Sequence, residues 1–257
     1  MKEESKFACL TYHIIAEGKS QYTVSEQQLR HHLALLKAEA YVVDGFEQLE
    51  ARLRSGMGVP PRYIVFTIDD GHESSMRAAD LLQEYGFKAT FFLTRDRSVS
   101  GPGFIRENGI RELRRRGFSV GTHGTTHHAL TFLPQEHCIA KLKDSKQWLE
   151  DVIGEGVRYI AAPGGFINSR IIKLTHEQGY VLTGTCHEWM NSPETMILPC
   201  KVNRVNVRRH FSIKAFRHII EGHLGFYMWR QIRATALAVP KRLDCSWSHA
   251  PDIHHFQ

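Results

Sequence analysis

Two short stretches of the chain place acidic and imidazole side chains where hydrolytic chemistry could be built. In the run YIVFTIDDGHESS, the β-rich residues 63–68 lead into two adjacent carboxylates, Asp69 and Asp70, and Gly71 then turns the chain towards a helix. Neighbouring side chains at a strand end diverge, so one carboxylate can bind a metal ion while the other stays free beside it. Taken alone, the pair is more typical of residues that cap the next helix.

The second stretch, FSVGTHGTTHHAL, carries two spaced histidines. The β-rich residues 118–122 lead into His123, and His127 follows four residues later. Two histidines at this spacing can face one metal ion, although Gly124 and the threonines favour an irregular turn over a helix. His128 breaks the spacing and is expected to point elsewhere. A polar loop without ligands would explain one histidine, whereas the spaced pair favours metal binding.

Together the two stretches predict a metal-dependent hydrolase. Catalytic groups collect at the carboxyl ends of the strands in a parallel barrel, and both stretches follow such ends. Two histidines and one carboxylate form a three-ligand zinc site with an open position, and the second carboxylate supplies a base for water. We predict zinc, with nickel, iron and cobalt as alternatives, because an Asp-His-His site accepts several metals.

Strands alternate with helices along the chain. Helical stretches repeatedly end at a glycine, and an aromatic residue and a β-rich run follow, which is the pattern of a left-handed helix end before a strand. Strands are predicted over 7–12, 41–43, 62–68, 89–94, 118–122, 157–162, 180–185 and 202–207. Helices are predicted after Ser25, over 74–85, from Pro134 to Gly154, and over 169–178 and 211–221. Seven or eight such units predict a single-domain α/β barrel, with an open doubly wound sheet as the alternative.

The bulk composition fits one folded domain. The chain has 257 residues, of which 42% are hydrophobic, enough for one sizeable core. We assign residues 1–222 to the barrel and 223–257 to a C-terminal helix and tail packed on it. The alternative for this basic amphipathic helix is peripheral contact with a membrane. The net charge of +6 is scattered, so no nucleic-acid partner is predicted.

Cysteine usage and the first residues bear on the compartment. Five cysteines without C-x-x-C spacing argue against a disulfide scaffold and against a cysteine-built zinc site. The run MKEESKFACLTYH has no apolar h-region, and no stretch is long and apolar enough for a membrane span. We therefore expect a cytoplasmic protein.

The sequence TIDDG followed by H-x-x-x-H resembles the polysaccharide deacetylase family, carbohydrate esterase family four. Its first motif is normally T-F-D-D-G and its second H-[ST]-x-x-H, so Ile68 and Gly124 are departures. The resemblance covers roughly residues 5–210. It implies a distorted (β/α)7-8 barrel, a divalent metal ion that is often zinc, and hydrolysis of N-acetyl groups on an amino-sugar glycan. Carried over by motif, the base is Asp69 and the metal ligands are Asp70, His123 and His127.

The third family motif, R-x-P-x-G, is only partly present. It corresponds to the run AAPGG, in which Pro163, Gly164 and Gly165 are retained but Ala161 stands where an arginine normally braces the base. Arg204, in the run KVNRVNV, could replace that arginine. The alternative is an ordinary surface arginine.

The general acid is also displaced from its usual place. The N-terminal run LTYH resembles the branch of poly-N-acetylglucosamine and exopolysaccharide deacetylases, in which the acid histidine comes first, and this implies His13. His187 is a second candidate. Trp189 and Phe166 are candidates for stacking on a sugar ring, with core packing as the alternative. A backbone N–H near Gly71 is expected to hold the oxyanion.

The sequence leaves several classes of substrate open. An N-acetylated amino-sugar glycan is the first prediction; a lipid-linked saccharide, which a basic surface would suit, and a small cyclic amide are alternatives. An inactive barrel that only binds glycan is a further possibility, favoured by Ala161 and by the missing C-terminal Leu-His motif. The intact Asp-Asp-His-His set favours an enzyme.

Overall fold

The computed structural model describes residues 6–232, in which parallel strands alternate with helices. The strands are β1 (Ala8–Tyr12), β2 (Ile14–Ile15), β3 (Thr23–Val24), β4 (Val42–Asp44), β5 (Tyr63–Ile68), β6 (Thr90–Leu93), β7 (Ser119–Thr122), β8 (Tyr159–Ala161), β9 (Leu182–Gly184), β10 (Cys200–Val202) and β11 (Val205–Asn206). The helices are α1 (Glu26–Ala38), α2 (Phe46–Ser55), α3 (Ser74–Glu84), α4 (Arg95–Ser100), α5 (Glu107–Arg115), α6 (Gln135–Ile153), α7 (Ser169–Glu177) and α8 (Ile213–Ile220), followed by a helix over 224–232. Single 3-10 turns lie at Leu130–Phe132, Pro163–Gly165 and Pro193–Thr195.

The main sheet curls into a barrel, and one segment of the chain pairs with a strand at each of its two ends. Its order is β10-β9-β8-β7-β6-β5-β1-β11, and β4 pairs beside the first half of β5. Only Asn203 and Arg204 separate β10 from β11, so residues 200–206 pair with β9 through their first part and with β1 through their second. The result is the distorted α/β barrel that the sequence predicted, rather than an open doubly wound sheet.

The strands are buried on both faces, as expected for a parallel sheet under helices. Along β5, Ile64, Phe66 and Ile68 pack with the helix layer, whereas Tyr63 and Val65 join a second, inner cluster with Cys9, Phe46 and Phe92. Side chains alternate along a strand, so the odd-numbered residues of β1 and β5 point into the barrel. Beyond the apolar cluster, the inward-facing rows of β1 and β5 continue with Thr11, His13, Thr67 and Asp69.

Some elements differ from the sequence prediction. β2, β3, α2 and α4 were not predicted. The single strand expected over 202–207 is interrupted at Asn203 and Arg204, with Val202 in β10 and residues 205–206 in β11. Ser25 Oγ accepts a hydrogen bond from the Gln28 backbone at 3.1 Å, as a capping box requires, but the Gln28 side chain donates to the Phe211 carbonyl instead of returning to Ser25. Residues 233–257 of the predicted C-terminal region lie outside the described residues.

The helix over 224–232 contacts the barrel through its inner face. Tyr227 is buried, and its hydroxyl donates to the Ile219 carbonyl at 3.0 Å, while Arg230 pairs with Glu188. Within residues 6–232, no helix combines the length and the apolar character that crossing a bilayer requires.

Candidate active site

Three side chains bring their ligand atoms together at the carboxyl end of the barrel. Asp70 follows β5, His123 follows β7, and His127 lies in the loop after it; one ligand atom from each lies within 4.8 Å of the other two. His127 Nε2 lies 3.0 Å and His123 Nε2 3.5 Å from Asp70 Oδ1. His123 is 2% exposed, and the side chains of His127 and Asp70 are 17% and 14% exposed, so the cluster is largely enclosed by protein. The predicted ligands are therefore neighbours in space.

The backbone at this cluster is strained. Asp70 and His127 adopt left-handed conformations, with φ of 76° and 63°, and only two other non-glycine residues between 6 and 232 have positive φ. Asp and His tolerate this region better than most residues, but each such residue still costs on the order of 1 kcal/mol. Since surrounding contacts must hold this strain, the side-chain directions of both residues are fixed by the fold.

The donor set suits a divalent cation. The carbonyl of Ala161 can only accept, so His123 Nδ1, at 2.9 Å, donates its hydrogen there and leaves Nε2 with a lone pair facing Asp70. Burial lowers the pKa of His123 to about 4, which keeps this imidazole neutral near pH 7. Burial alone would raise the pKa of Asp70, but the neighbouring His127 holds it well below its usual value. Asp70 Oδ1 has no aligned hydrogen bond among the described residues.

Asp69 is held by a buried arginine, Arg204. Arg204 Nη1 donates to Asp69 Oδ1 at 2.7 Å and Nη2 donates to Oδ2 at 2.9 Å, and the two side chains are 0% and 2% exposed. The guanidinium also donates to the hydroxyl of Thr67 and, through Nε, to the carbonyl of Thr185. Burial would raise the pKa of Asp69, but the Arg204 charge lowers it below its ordinary value, so Asp69 is ionised.

The space for Arg204 depends on a small residue, Gly184. Ala161 and Gly184 are register partners on β8 and β9. A Cβ added to Gly184 would lie 2.7 Å from Arg204 Nε, so only glycine leaves room for the guanidinium. Ala161, where the family motif has its arginine, is likewise fully buried. An arginine that enters from residues 200–206 therefore contacts the carboxylate that the missing one would have braced.

His13 lies beside the same carboxylates. The Asp69 backbone N–H donates to the Tyr12 carbonyl, which places His13 next to the end of β5. Burial lowers the pKa of His13, and the charges of Asp70 and Asp69 oppose that effect. Its Nδ1 is buried without a hydrogen-bonding partner among the described residues, and the Tyr22 ring lies 5.0 Å away.

The second acid candidate has different neighbours. His187 is exposed to solvent. Partial burial of its ring is the main cause that lowers its pKa, followed by Lys201, with Glu188 opposing, rather than the two aspartates. Trp189 packs edge-on against Tyr227 at 5.7 Å and joins the core. Trp189 therefore has the core-packing environment that was the alternative to sugar stacking.

The glycines near the cluster are required by close contacts. Gly71 has φ of 79° beside Asp70. Gly124 has φ of 74°, and a Cβ there would lie 3.0 Å from Pro163 Cγ. Both features favour glycine over a residue with a side chain at position 124. Gly164 and Gly165, in the turn after β8, also have positive φ.

One residue of the site was missed by the sequence reasoning. Arg97, on α4 after β6, places Nη1 3.0 Å from Asp70 Oδ1, the oxygen that the two histidines also face. Its guanidinium lies 5.1 Å from the centre of the Phe104 ring. A signal existed, because Arg97 follows the end of a predicted strand between the two chemical motifs. A single arginine, however, has no spacing pattern that points to a partner.

Comparison with known proteins identifies the family. The sequence profile described as polysaccharide deacetylase matches residues 56–183. YxkH of Bacillus subtilis (strain 168), which is named as a polysaccharide deacetylase, is 24% identical over 221 residues, or 86% of this chain and 78% of YxkH. A peptidoglycan-N-acetylglucosamine deacetylase of Bacillus cereus is 27% identical over 121 residues, or 46% of this chain and 54% of that protein.

A solved structure shows the same fold. Streptococcus pyogenes deacetylase PplD, in complex with acetate, is 21% identical and aligns with a TM-score of 0.77 over 85% of this chain and 99% of its own. The profile match spans the segments that carry the Asp-Asp pair, the two histidines and the Pro-Gly-Gly turn. This chain belongs to the polysaccharide deacetylase family.

Proposed function

We propose that this protein is a metal-dependent hydrolase that removes N-acetyl groups from an amino-sugar glycan. The observation that carries the proposal is the convergence of Asp70, His123 and His127 within 4.8 Å, beside a carboxylate held ionised by Arg204. A glycan-binding barrel without activity would need neither the ligand cluster nor a buried ion pair next to it. Family membership supports the same conclusion.

In the proposed mechanism, Asp70, His123 and His127 hold the divalent ion, and Asp69 is the base. The ion supplies a Lewis acid for the acetyl carbonyl and for the attacking water. Asp69 accepts the proton of that water; Arg204 occupies one lone pair on each carboxylate oxygen, and the second lone pair of each stays available. The role of Arg204 is to keep Asp69 charged and correctly oriented.

We assign the proton donor to His13. Its position beside Asp69 and Asp70, and its buried Nδ1 without a partner, support a histidine that exchanges protons with a bound group. It would protonate the departing amine after the amide carbon is attacked. Gly71, with its left-handed backbone beside Asp70, is proposed to present the N–H that stabilises the oxyanion.

We also propose the identity of the metal ion and the class of the glycan. We propose zinc, since two imidazoles and one carboxylate are a donor set that it favours. We propose an exopolysaccharide-type N-acetylglucosamine polymer as the substrate class, because the acid histidine precedes the other motifs as in that branch. The named activity of the Bacillus cereus relative, on peptidoglycan, makes a wall glycan the second choice.

A lipid-linked saccharide is a second candidate, and one observation favours it. The helix over 224–232 exposes Leu224, Met228 and Ile232, which are four residues apart and share one face. Such a face can lie on a membrane surface. Co-sedimentation with anionic vesicles tests this contact, and Met228→Ser should reduce it; absence of the native protein from the pellet would rule it out.

The test of the function combines metal content with acetate release from an N-acetylglucosamine oligomer. Asp70→Ala should lose both the metal and the activity, and Asp69→Asn should keep the metal and lose turnover. His128→Ala, an exposed neighbour of the cluster, is the matched control and should retain both. Turnover by Asp69→Asn would show that the base is misassigned, and a native protein without bound divalent metal would overturn the proposal.

A further inference from the structure

Two exposed phenylalanine rings, tilted by 56° to each other, lie on the loops that follow β7 and β8. Phe132 is 72% exposed and Phe166 is 52% exposed, and their ring centres lie 5.7 Å apart. Phe132 comes five residues after His127, in the loop that follows β7, and Phe166 follows the 3-10 turn after β8. Both loops leave the carboxyl end of the barrel, so this aromatic pair lies on the same side of the molecule as the candidate active site.

The backbone around Phe132 is tied down on both sides. The Leu130 carbonyl accepts from Cys138 Sγ at 3.0 Å, and the carbonyls of Thr131 and Leu133 accept from Arg170 Nη2 at 3.2 and 3.1 Å. Leu130 is buried beneath the loop. The Phe132 ring is therefore exposed because α6 and α7 hold its backbone in this position, and not because the loop is loosely packed.

The turn that carries Phe166 is equally constrained. A Cβ on Gly164 would lie 3.1 Å from Phe166 Cδ2, so the ring lies against a position that only glycine leaves open. A Cβ on Gly165 would lie 2.3 Å from the Cβ of Cys186, which shows how closely this turn packs on the segment after β9. Both rings are thus presented by rigid backbone.

The two loops also touch each other beside the ligands. Pro163 contacts Gly124, and His123 Nδ1 donates to the carbonyl of Ala161. These contacts fix the loop of Phe132 and the turn of Phe166 relative to the imidazole of His123. The aromatic pair is therefore held at a fixed distance from the metal-ligand cluster.

We infer that Phe132 and Phe166 form a binding platform for a sugar ring of the glycan next to the residue being deacetylated, an inference that rests on the proposed function. Pyranose rings present C–H groups on their faces and hydroxyls at their edges, so they pack on flat aromatic surfaces while the hydroxyls stay in water. Two rings with exposed Asn168 and Ser169 beside them are far smaller than the surface of about 1,200 Å² that a stable protein partner needs. A glycan ring matches this size and polarity.

The platform makes binding depend on chain length. On this inference, an N-acetylglucosamine monomer bound at the metal-ligand cluster would leave the aromatic pair empty, whereas a tetramer would occupy both. Removing either ring should weaken tetramer binding about tenfold, the loss of one good aromatic contact, and leave monomer binding unchanged.

The test measures dissociation constants by calorimetry for the monomer and the tetramer, with Phe132→Ala and Phe166→Ala in the full chain. Ile197→Ala is the control, because Ile197 is 82% exposed but precedes β10 at the opposite end of the barrel. Thermal unfolding and metal content confirm that each variant is intact. The expected result is selective loss of tetramer affinity in both phenylalanine variants and none in the control.

The outcomes separate this inference from the proposed function. Unchanged tetramer affinity in both phenylalanine variants, or no tetramer binding by the native protein, overturns the platform. Acetate release with equal efficiency on the two lengths, in native protein and variants alike, also overturns it while the deacetylase activity stands. Selective loss of tetramer binding without acetate release in the native protein supports the platform and refutes the proposed activity.

Discussion

Replacing Arg204 with methionine should leave Asp69 as an unpaired charge inside the barrel. The pair is bidentate, at 2.7 and 2.9 Å, and its two side chains are 0% and 2% exposed. With charge centres about 4 Å apart and an effective dielectric of about 20, the attraction is about 4 kcal/mol. Removing one partner of a buried pair typically costs about 3–5 kcal/mol, in agreement with that value. We expect Arg204→Met to lower the free energy of unfolding by about this amount.

The same substitution should impair catalysis separately from stability. The Arg204 charge is what outweighs burial and lowers the pKa of Asp69, so its loss raises that pKa and favours the protonated carboxyl, which cannot act as a base. Turnover should fall at least about a hundredfold, the usual contribution of a general base. Bound metal should persist, because Asp70 and the two histidines are unchanged.

Urea unfolding followed by circular dichroism, metal analysis and acetate release measure these effects in parallel. The double variant Asp69→Asn with Arg204→Met removes both charges, so it should regain much of the lost stability and remain inactive. Arg204→Lys should be intermediate, because it keeps the charge but loses the paired geometry. Stability of Arg204→Met within about 1 kcal/mol of the native protein, the range of a surface pair, would refute this account.

Three further changes follow from the structure. Gly184→Ala should lower the free energy of unfolding by about 1–3 kcal/mol and reduce turnover, because its Cβ would lie 2.7 Å from Arg204 Nε; unchanged urea unfolding and activity would contradict this. Arg97→Met should tighten zinc binding to the metal-free protein at least about tenfold, as measured by calorimetry. The reason is that the positive charge of Arg97, 3.0 Å from Asp70 Oδ1, repels a cation bound there. Weaker zinc binding by the variant would show that Arg97 instead positions Asp70. Burial lowers the pKa of His32 from 6.5 to about 3, so the neutral imidazole contributes fully to stability above pH 6.5 and less as the pH falls towards 3. The His32→Gln variant should therefore lose less stability than the native protein between pH 7 and about pH 5. Parallel pH profiles of the two proteins in urea unfolding would contradict this.

The candidate metal cluster could be located from sequence because its members obey a local rule. Asp70 and His123 each follow a β-rich run, and parallel strands bring their carboxyl ends to one edge. Arg204 could be suggested only because Ala161 left an expected arginine unaccounted for. Its burial, and the room that Gly184 gives it, depend on strands that are distant in the sequence.

Other features follow from contacts that no local pattern encodes. β2 and β3 are two residues each and exist because Ile14 and Ile15 pair with Thr23 and Val24. The capping box at Ser25 is half formed because a carbonyl 183 residues away accepts from Gln28. Contacts with distant parts of the chain determine whether such short strands and caps form, so hydrophobic periodicity alone does not predict them.

The segment 200–206 closes the barrel and also carries Arg204, which ties the orientation of Asp69 to the completion of the sheet. The two guanidinium nitrogens reach Asp69 from a segment that pairs with β9 on one side and with β1 on the other. A substitution that weakens either strand pairing would therefore reduce turnover without changing Asp69 or a metal ligand.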